Sequence, residues 1–187
     1  MKVIVGISKR HLHITEEVFK EIFGDIELEA RNELAQPGQF ASKQTVDLKW
    51  NDKILEKVRI VGPFRKYNQI EISVDDAKNL GVMPPRRISG DIEGSLPITL
   101  VGPLGEITID KGLILAERHI HFTPEAAEQM NVKNNELVGI LKDENLITEA
   151  IARIDELSAL ELHVDSDEAL EFNLNSGEEV DIIKCGK

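Results

Sequence analysis

The chain has 187 residues, of which 41% are hydrophobic and only 4% aromatic, so we expect an aliphatic core in one domain or two small ones. Its formal net charge of −12 at pH 7 argues against general binding to nucleic acid or to an anionic membrane. We expect no signal peptide and no transmembrane helix, and the single cysteine, Cys185, cannot form an internal disulfide, which favours a reducing compartment.

Most of the predicted elements are short strands, rich in Ile, Val and Leu and bounded by turns. In chain order they are Lys2–Ser8, Thr45–Trp50, Ile54–Val61, Pro97–Val101, Ile107–Asp110, Leu113–Phe122, Leu137–Lys142, Ile147–Ile154, Leu160–Val164 and Glu179–Lys184. The clearest helix is Glu16–Phe23, where Val18, Ile22 and Phe23 form one apolar stripe. Strands and helices do not alternate, which disfavours a doubly wound parallel sheet. The pattern predicts a mainly β fold of small barrels or sandwiches with short capping helices.

All five histidines fall in three short segments, Arg10-His11-Leu12-His13, Arg118-His119-Ile120-His121 and Leu162-His163-Val164. On a strand, His-x-His places both imidazoles on the same face, because strand side chains alternate with a period of two. Two imidazoles on one face can bind one metal ion, and such a site usually takes a third protein ligand. Two such pairs, which use nearly the whole histidine content, therefore indicate metal binding.

The two pairs belong to a repeat with an offset of 108 residues, in which Arg-His-x-His-apolar-Thr-x-Glu occurs twice. Thr15 and Thr123, which follow the pairs, are predicted N-caps of short helices. A repeat at this distance suggests two related halves, each of them one supersecondary assembly. We expect the halves to pack together with the histidine pairs near their seam.

The same order of ligand-type residue, apolar residue, N-cap and short helix recurs at Glu71-Ile72-Ser73 and at His163-Val164-Asp165. Ser73 and Asp76 form a capping-box pattern, and Gly81 is expected to end that helix. Glu71 follows the first His-x-His by 58 residues, and His163 follows the second by 42.

We therefore infer two metal sites of three protein ligands each, which leaves an open position as catalytic sites require. The two ligand sets are His11, His13 and Glu71, and His119, His121 and His163. The alternative is that Glu71 is a solvated acid at a strand end and that the histidines are helix caps or core residues.

Arginines lie beside these segments in a strongly acidic chain. Arg10 and Arg118 each precede a His-x-His, and Arg65 lies six residues before Glu71. An arginine near a metal site suggests an anionic substrate held by the planar guanidinium fork. The alternative for each arginine is an ion pair with one of the 34 acidic residues.

Several longer motifs occur in a fixed order along the chain. They are Val5-Gly6-Ile7-Ser8-Lys9-Arg10-His11-Leu12-His13, Gln36-Pro37-Gly38-Gln39-Phe40-Ala41, Gly62-Pro63-Phe64-Arg65 with Gln69-Ile70-Glu71, Arg87-Ile88-Ser89-Gly90-Asp91, Arg118-His119-Ile120-His121 and His163-Val164-Asp165-Ser166-Asp167-Glu168. Together they resemble the PduL-type phosphotransacylases (phosphate propanoyltransferases), from Val3 to about Ala169. The resemblance implies two small β-barrel domains with short capping α-helices and an active site with two zinc ions between them. The implied domains are 10–117 and 118–187, the second completed by strand 1–9.

The resemblance also assigns site residues. One zinc would be held by His11, His13 and Glu71 and be open to the sulfur of coenzyme A. The other would be held by His119, His121 and His163, with waters completing its shell. The phosphate-binding arginine falls on Arg65, and coenzyme A contacts fall near Gly6, Ile7, Ser8 and Arg59. The family commonly has an asparagine seven residues after the late histidine, and the chain departs from that pattern at Leu170.

The implied activity is the reversible transfer of a short acyl group between coenzyme A and inorganic phosphate, with acyl-CoA and phosphate as substrates. We expect direct attack of phosphate, without an acyl-enzyme, because no Ser-His-Asp arrangement stands out and Cys185 lies in the tail. The chain starts at its first strand, without the extension of members bound for bacterial microcompartments, so a cytoplasmic enzyme is expected. A homodimer, coupling to a kinase that uses the acyl phosphate, and a role in propanediol degradation are further expectations.

Two other classes of protein fit the same ligands. One is a zinc-dependent thioester or phosphoester hydrolase, in which water replaces phosphate as the acceptor. The other is a non-catalytic metal-binding barrel, which an open coordination position disfavours because structural zinc is normally closed by four protein ligands.

Overall fold

The computed structural model describes residues 1–156 and 158–185, and over these ranges the chain forms fourteen strands and four helices. It divides into two compact units. The first barrel is Lys9–Ala116, and the second barrel joins Met1–Ser8 to Glu117–Lys187. The first strand, β1 (Lys2–Ser8), thus belongs to the same unit as the C-terminal part of the chain. None of the described helices combines the length and apolar character that crossing a bilayer requires.

The first barrel is closed by six strands. Its elements are β2 (His11–His13), α1 (Glu16–Phe23), β3 (Ala30–Glu33), β4 (Phe40–Trp50), β5 (Lys53–Gly62), β6 (Gln69–Ile72), α2 (Val74–Leu80), β7 (Arg86–Arg87), β8 (Leu96–Gly102) and β9 (Gly105–Ala116). The ring runs β4-β5-β2-β6-β9-β8, and β8 pairs back with β4. Short strands β3 and β7 pair with β4 and β9. Fully buried aliphatic side chains such as Leu12, Ile60, Ile70, Leu100 and Leu113 form the core, as expected from the composition.

The second barrel is also closed by six strands. Besides β1 it contains β10 (His119–Phe122), α3 (Pro124–Met130), β11 (Leu137–Lys142), β12 (Asn145–Ile154), β13 (Glu161–Asp165), α4 (Ser166–Glu171) and β14 (Glu179–Lys184). The ring runs β11-β12-β10-β13-β1-β14. Its core includes Ile120, Phe122, Val138 and Leu162, all fully buried. The prediction of a mainly β fold with two small barrels and short capping helices is confirmed.

The two barrels share one pairing pattern at the level of single residues. His11 pairs with Glu71 and Glu71 with Ile114 in the first barrel, and His119 pairs with His163 and His163 with Gly6 in the second. Gly6 and Ile114 are separated by the same 108 residues as the two histidine pairs. The repeat therefore extends to the strands that precede the histidines. Each repeat begins with a strand, β1 or β9, that completes the barrel of the other repeat.

All four helices begin at the predicted caps, because each cap side chain accepts a hydrogen bond from a first-turn backbone N–H. These caps are Thr15, Ser73, Thr123 and Asp165. Gly81 ends α2, as predicted, in the left-handed conformation with φ of 79°. In α1 the buried stripe consists of Phe19, Ile22 and Phe23, whereas Val18 is only partly buried.

Three strand predictions are wrong in their bounds, and the first is Thr45–Trp50, because β4 begins at Phe40. Predicted strand Leu113–Phe122 is two strands, because β9 ends at Ala116 and β10 begins at His119 in the other barrel. Predicted strand Ile107–Asp110 is the middle of β9. Strand β6 escapes prediction because its four residues are all buried and show no alternation.

Candidate metal centres

His119, His121 and His163 converge on the second barrel. Strand β10 carries the first two, and β13 carries His163 as the register partner of His119. One ligand nitrogen of each ring lies within 4.8 Å of the others, and Nε2 of His119 is 3.2 Å from Nε2 of His121. Two nitrogens that bind one tetrahedral zinc ion at about 2.0–2.1 Å lie about 3.3 Å apart. The three rings therefore fit a single metal ion.

The ring orientations of this histidine triad are fixed by hydrogen bonds. Nδ1 of His119 donates to the carbonyl oxygen of Glu117 at 2.8 Å, and Nδ1 of His121 lies 3.3 Å from Oγ of Ser158. An imidazole held through one nitrogen presents the other to a metal ion. Nε2 is therefore the nitrogen that His119 and His121 present.

The charge state of His121 also suits a ligand. Burial, together with the charges of His119, His163 and Arg153, lowers the pKa of His121 to about 2. The ring is neutral at pH 7, and a metal ion binds the neutral imidazole. Arg153 lies on β12 as the register partner of His121, and sequence reasoning misses it because its strand is far away along the chain.

His11, His13 and Glu71 occupy the counterpart positions in the first barrel. Nε2 of His11 lies 3.7 Å from Oε2 of Glu71, its register partner on β6. Nδ1 of His11 contacts the carbonyl oxygen of Lys9 at 2.8 Å, as His119 contacts Glu117. The ring centroids of His11 and His13 are 5.3 Å apart. This set is more open, since among the described residues the histidine triad alone brings three ligand atoms within 4.8 Å.

Glu71 and His13 are both buried, so the alternative of a solvated acid at a strand end is wrong for Glu71. Glu71 is 6% exposed, and its Oε1 accepts a hydrogen bond from Nε2 of Gln69 at 2.6 Å. Nδ1 of His13 lies 3.1 Å from the carbonyl oxygen of Val61. Burial, followed by the charges of His11 and Arg65, lowers the pKa of His13 to about 3, which keeps this ring neutral as well.

Arg10 and Arg118 form ion pairs with acids, which confirms the ion-pair alternative for both. Nη1 of Arg10 bonds Oδ1 of Asp76 at 2.8 Å, and Nη1 of Arg118 bonds Oε1 of Glu168 at 2.7 Å. Each acid is the third residue of the helix that follows the third ligand. The Asp76 side chain thus pairs with Arg10 and does not complete the capping box predicted with Ser73. In α4, Asp165 and Glu168 do form a capping box. Each arginine ties a His-x-His strand to that helix.

Arg65 has different surroundings. It follows β5, is half-buried, and its backbone N–H donates to the carbonyl oxygen of Ile14 at 2.9 Å. Its positive charge contributes to the lowered pKa of His13, which places it in the field of the first ligand set. Over residues 1–156 and 158–185 its guanidinium forms no ion pair with an acid. A half-buried cation of this kind can bind an anion.

The residues predicted to contact coenzyme A lie in both units. Gly6, Ile7 and Ser8 are on β1 of the second barrel, and Arg59 is on β5 of the first, as the register partner of His11. Nη1 of Arg59 donates to the carbonyl oxygens of Ser42 and Lys43 at 3.0 and 2.9 Å. Among the described residues, Nη1 is the guanidinium nitrogen of Arg59 that forms hydrogen bonds.

Gly6 lies against the side chains of Glu161 and His163. A Cβ atom at this position would lie 2.6 Å from Oε1 of Glu161 and 3.0 Å from Cδ2 of His163. The first distance is shorter than Cβ contacts in proteins show and the second is tight, so a larger residue would require the end of the Glu161 side chain to move and His163 to shift slightly. Glycine therefore keeps β1 close to the third ligand.

Cys185 is unsuited to act as a nucleophile. Its Sγ donates to Oε1 of Glu149 at 3.2 Å. Burial, together with this hydrogen bond and the charge of Glu149, raises the pKa of the Cys185 thiol. The thiol therefore stays protonated at neutral pH, in agreement with the expectation from its place in the tail.

Comparison with known proteins agrees with this geometry. The family model for phosphate propanoyltransferase matches residues 4–175. A phosphate propanoyltransferase of Thermotoga maritima is 43% identical over 187 residues, which cover 97% of this chain and 89% of that protein. Those of Lachnoclostridium phytofermentans and Rhodobacter capsulatus are 41% and 40% identical over 186 and 178 residues. These matches cover 97% and 93% of this chain, and 87% and 83% of the two proteins.

The chain is thus an enzyme of the acyltransferase class. It belongs to the phosphate propanoyltransferase family.

Proposed function

We propose that this enzyme transfers a short acyl group reversibly between coenzyme A and inorganic phosphate, and that it does so with two bound zinc ions. His11, His13 and Glu71 hold one ion, and His119, His121 and His163 hold the other. The observation that carries the proposal is the convergence of three histidine nitrogens within 4.8 Å in a member of this family. Each set has three protein ligands, so a position stays open for water or substrate.

The chain's own residues bind and orient the reactants in this proposal. Arg65 binds the phosphate anion through its guanidinium fork and aims an oxygen at the thioester carbonyl carbon. That oxygen forms the new C–O bond, the C–S bond breaks, and coenzyme A leaves as its thiolate. Zinc, when bound, supplies a Lewis acid for the negative charge that develops on sulfur and oxygen. Phosphate is already anionic at neutral pH, so the step needs no strong general base.

Coenzyme A contacts are assigned to Gly6, Ile7, Ser8 and Arg59. The support for Arg59 is that its Nη1 is anchored by two backbone carbonyls, which holds the rest of the guanidinium in one orientation. The support for the β1 residues is that Gly6 adjoins the histidine triad. A homodimer, a cytoplasmic location and coupling to a kinase that uses the acyl phosphate stay predictions.

The test is an assay of the purified enzyme with defined metal content. We expect about two zinc ions per chain by mass spectrometry, since six ligands divide into two sets of three. With acetyl-, propionyl- and butyryl-CoA, release of the coenzyme A thiol should require inorganic phosphate and form acyl phosphate, detected as the hydroxamate. Chelation should abolish turnover, and zinc should restore it.

The same assay separates the rival classes. Thiol release without phosphate would identify a zinc-dependent thioester hydrolase. Bound zinc without turnover of any acyl-CoA would identify a non-catalytic metal-binding barrel. Full activity of a metal-free preparation would overturn the assignment of both ligand sets.

A further inference from the structure

Each third ligand is held by the residue two positions before it on the same strand. On β6, Nε2 of Gln69 donates to Oε1 of Glu71 at 2.6 Å. On β13, Oε2 of Glu161 contacts Nε2 of His163 at 2.8 Å. Side chains two positions apart on a strand lie on the same face, which makes both contacts possible. The amide donor faces the carboxylate ligand, and the carboxylate acceptor faces the imidazole ligand.

The two holding residues occupy counterpart positions. Gln69 is the register partner of His13, and Glu161 is the register partner of His121. Each therefore lies opposite the second histidine of its pair and two positions before the third ligand on its own strand. The two barrels thus share this position, but it holds Gln69 where the third ligand is Glu71 and Glu161 where the third ligand is His163.

Gln69 is itself fixed. It is 2% exposed, and its Nε2 also donates to Oγ of Ser89 at 2.9 Å. Its Oε1 accepts from the backbone N–H of Gly90 at 2.8 Å. These bonds determine which end of the amide faces Glu71, because the backbone N–H of Gly90 requires an acceptor. Glu71 Oε1 is consequently occupied, and Oε2 is the oxygen directed toward His11.

Glu161 holds His163 in the arrangement that carboxylates adopt behind metal-binding histidines. With Nε2 of His163 donating to Glu161, Nδ1 is the nitrogen left for an ion. Gly6 provides the room, because a side chain there would run into Glu161 Oε1 at 2.6 Å.

We propose that Gln69 and Glu161 are positioning residues for Glu71 and His163, and that the chemistry of each is matched to the ligand it holds. The inference rests on the two proposed metal sites. It goes beyond them because it names two residues that bind no metal and predicts that they are not interchangeable.

The first test is Gln69→Glu. Glutamate keeps the acceptor for the N–H of Gly90 and can accept from the Ser89 hydroxyl, but it faces Glu71 with a second carboxylate. We expect zinc at the first ligand set to bind about 10–100-fold more weakly, the usual loss when such a partner is removed. The measurement is competition with a chelator of known affinity. Gln44→Glu is the matched control, since it makes the same substitution at a glutamine that bonds the backbone groups of Glu29 and Glu27.

The second test exchanges the pair in the second barrel, where Gly6 leaves space. His163→Glu alone places two carboxylates side by side and should lose zinc from the histidine triad. Adding Glu161→Gln recreates the pair found at Gln69 and Glu71, and it should recover at least tenfold in affinity over the single variant. Such recovery by a second substitution is not expected if Glu161 only supports the fold.

Melting temperatures distinguish a loss of zinc affinity from a general loss of protein stability. For each variant the melting temperature is measured with and without zinc, and a role in positioning predicts a smaller zinc-induced rise rather than an equal loss in both states. The proposal is overturned if Gln69→Glu leaves zinc affinity unchanged, or if the double variant binds no better than His163→Glu. Wild-type protein that binds no zinc would overturn the metal sites themselves, and the positioning roles with them.

Discussion

His13 and His121 show how single residues adapt to ligation in this enzyme. Each is the second histidine of its pair, and burial is the leading cause that lowers the pKa of both rings. The first histidines, His11 and His119, each contact the carbonyl oxygen two residues earlier, and His13 contacts the carbonyl oxygen of Val61. Backbone carbonyls thus orient His11, His13 and His119, and burial keeps His13 and His121 neutral, and both properties favour metal binding.

Arg65→Ala tests the role of the arginine that has no acidic partner among described residues. We expect kcat/KM for phosphate to fall about 10–100-fold, because a charge-assisted hydrogen bond contributes about 1.5–3 kcal/mol. Zinc content should stay near that of the wild type. Arg65→Lys should recover only part of the loss, since lysine keeps the charge but lacks the fork. Arg31→Ala, at an exposed arginine on β3 of the same barrel, is the control. If Arg65→Ala loses metal or unfolds, the arginine is structural.

Glu71→Ala and His163→Ala test whether the two ligand sets are separate. Each set lies within one barrel, so we expect each variant to lose one zinc ion and keep the other. Zinc stoichiometry and anomalous scattering measure this directly. Two fully occupied zinc ions in Glu71→Ala would show that Glu71 is not a ligand.

Among the helices and strands, the features that the sequence predicts correctly are those set by neighbouring residues. N-caps such as Thr15 and Asp165 are readable because the cap bonds an N–H only two or three residues away. The single predicted strand from Leu113 to Phe122 misses the end of β9, although the charged pair Glu117-Arg118 interrupts its apolar residues and the family resemblance implies a domain boundary after residue 117. Strands β9 and β10 are separate because β9 pairs with β6 in the first barrel and β10 pairs with β13 in the second. Such long-range pairing is not visible in the local sequence.

The same limit applies to the candidate sites. The spacing of the repeat suffices to group Glu71 with His11, and the register of β2 and β6 places them opposite each other. The role inferred for Gln69 depends on Ser89 and Gly90, which come from a distant loop. The residues next to Gln69 in the sequence do not predict its hydrogen bonds to Ser89 and Gly90.

The ion pairs Arg10–Asp76 and Arg118–Glu168 are expected to contribute unequally to the free energy of unfolding. Glu168→Ala should destabilise the enzyme by about 2 kcal/mol or more, because a buried carboxylate that bonds Arg118 also caps α4. Asp76→Ala should cost less than about 1 kcal/mol, because the Arg10 side chain is 41% exposed and is screened by solvent more than that of Arg118, which is 27% exposed. Urea unfolding of the two variants beside the wild type measures the difference. Equal losses would mean that burial and capping add nothing to the second pair.

For the molecule as a whole, the strand exchange between repeats decides which residues share a core. Val5 and Leu113 are counterparts in the repeat, yet Val5 is buried in the second barrel and Leu113 in the first. An unpaired charge in a core costs several kcal/mol. We therefore expect Val5→Asp to reduce amide hydrogen-exchange protection over 117–185 and Leu113→Asp to reduce it over 9–116. Mass spectrometry of exchanged peptides measures both. If the Val5→Asp variant loses hydrogen-exchange protection over 9–116 and keeps it over 117–185, β1 does not belong to the second barrel.

The place of β1 also bears on how the enzyme is made. A ribosome releases the first barrel complete once residue 116 has emerged, and its strands can pair as they appear. The opening strand has no such partner, because Ile4 pairs with Glu161 and Glu179 near the other end of the chain. Closing a loop of that length is entropically costly and slow compared with local pairing. Strand β1 is therefore synthesised long before its partners β13 and β14, and we expect it to stay unpaired until residues 161 and 179 have emerged.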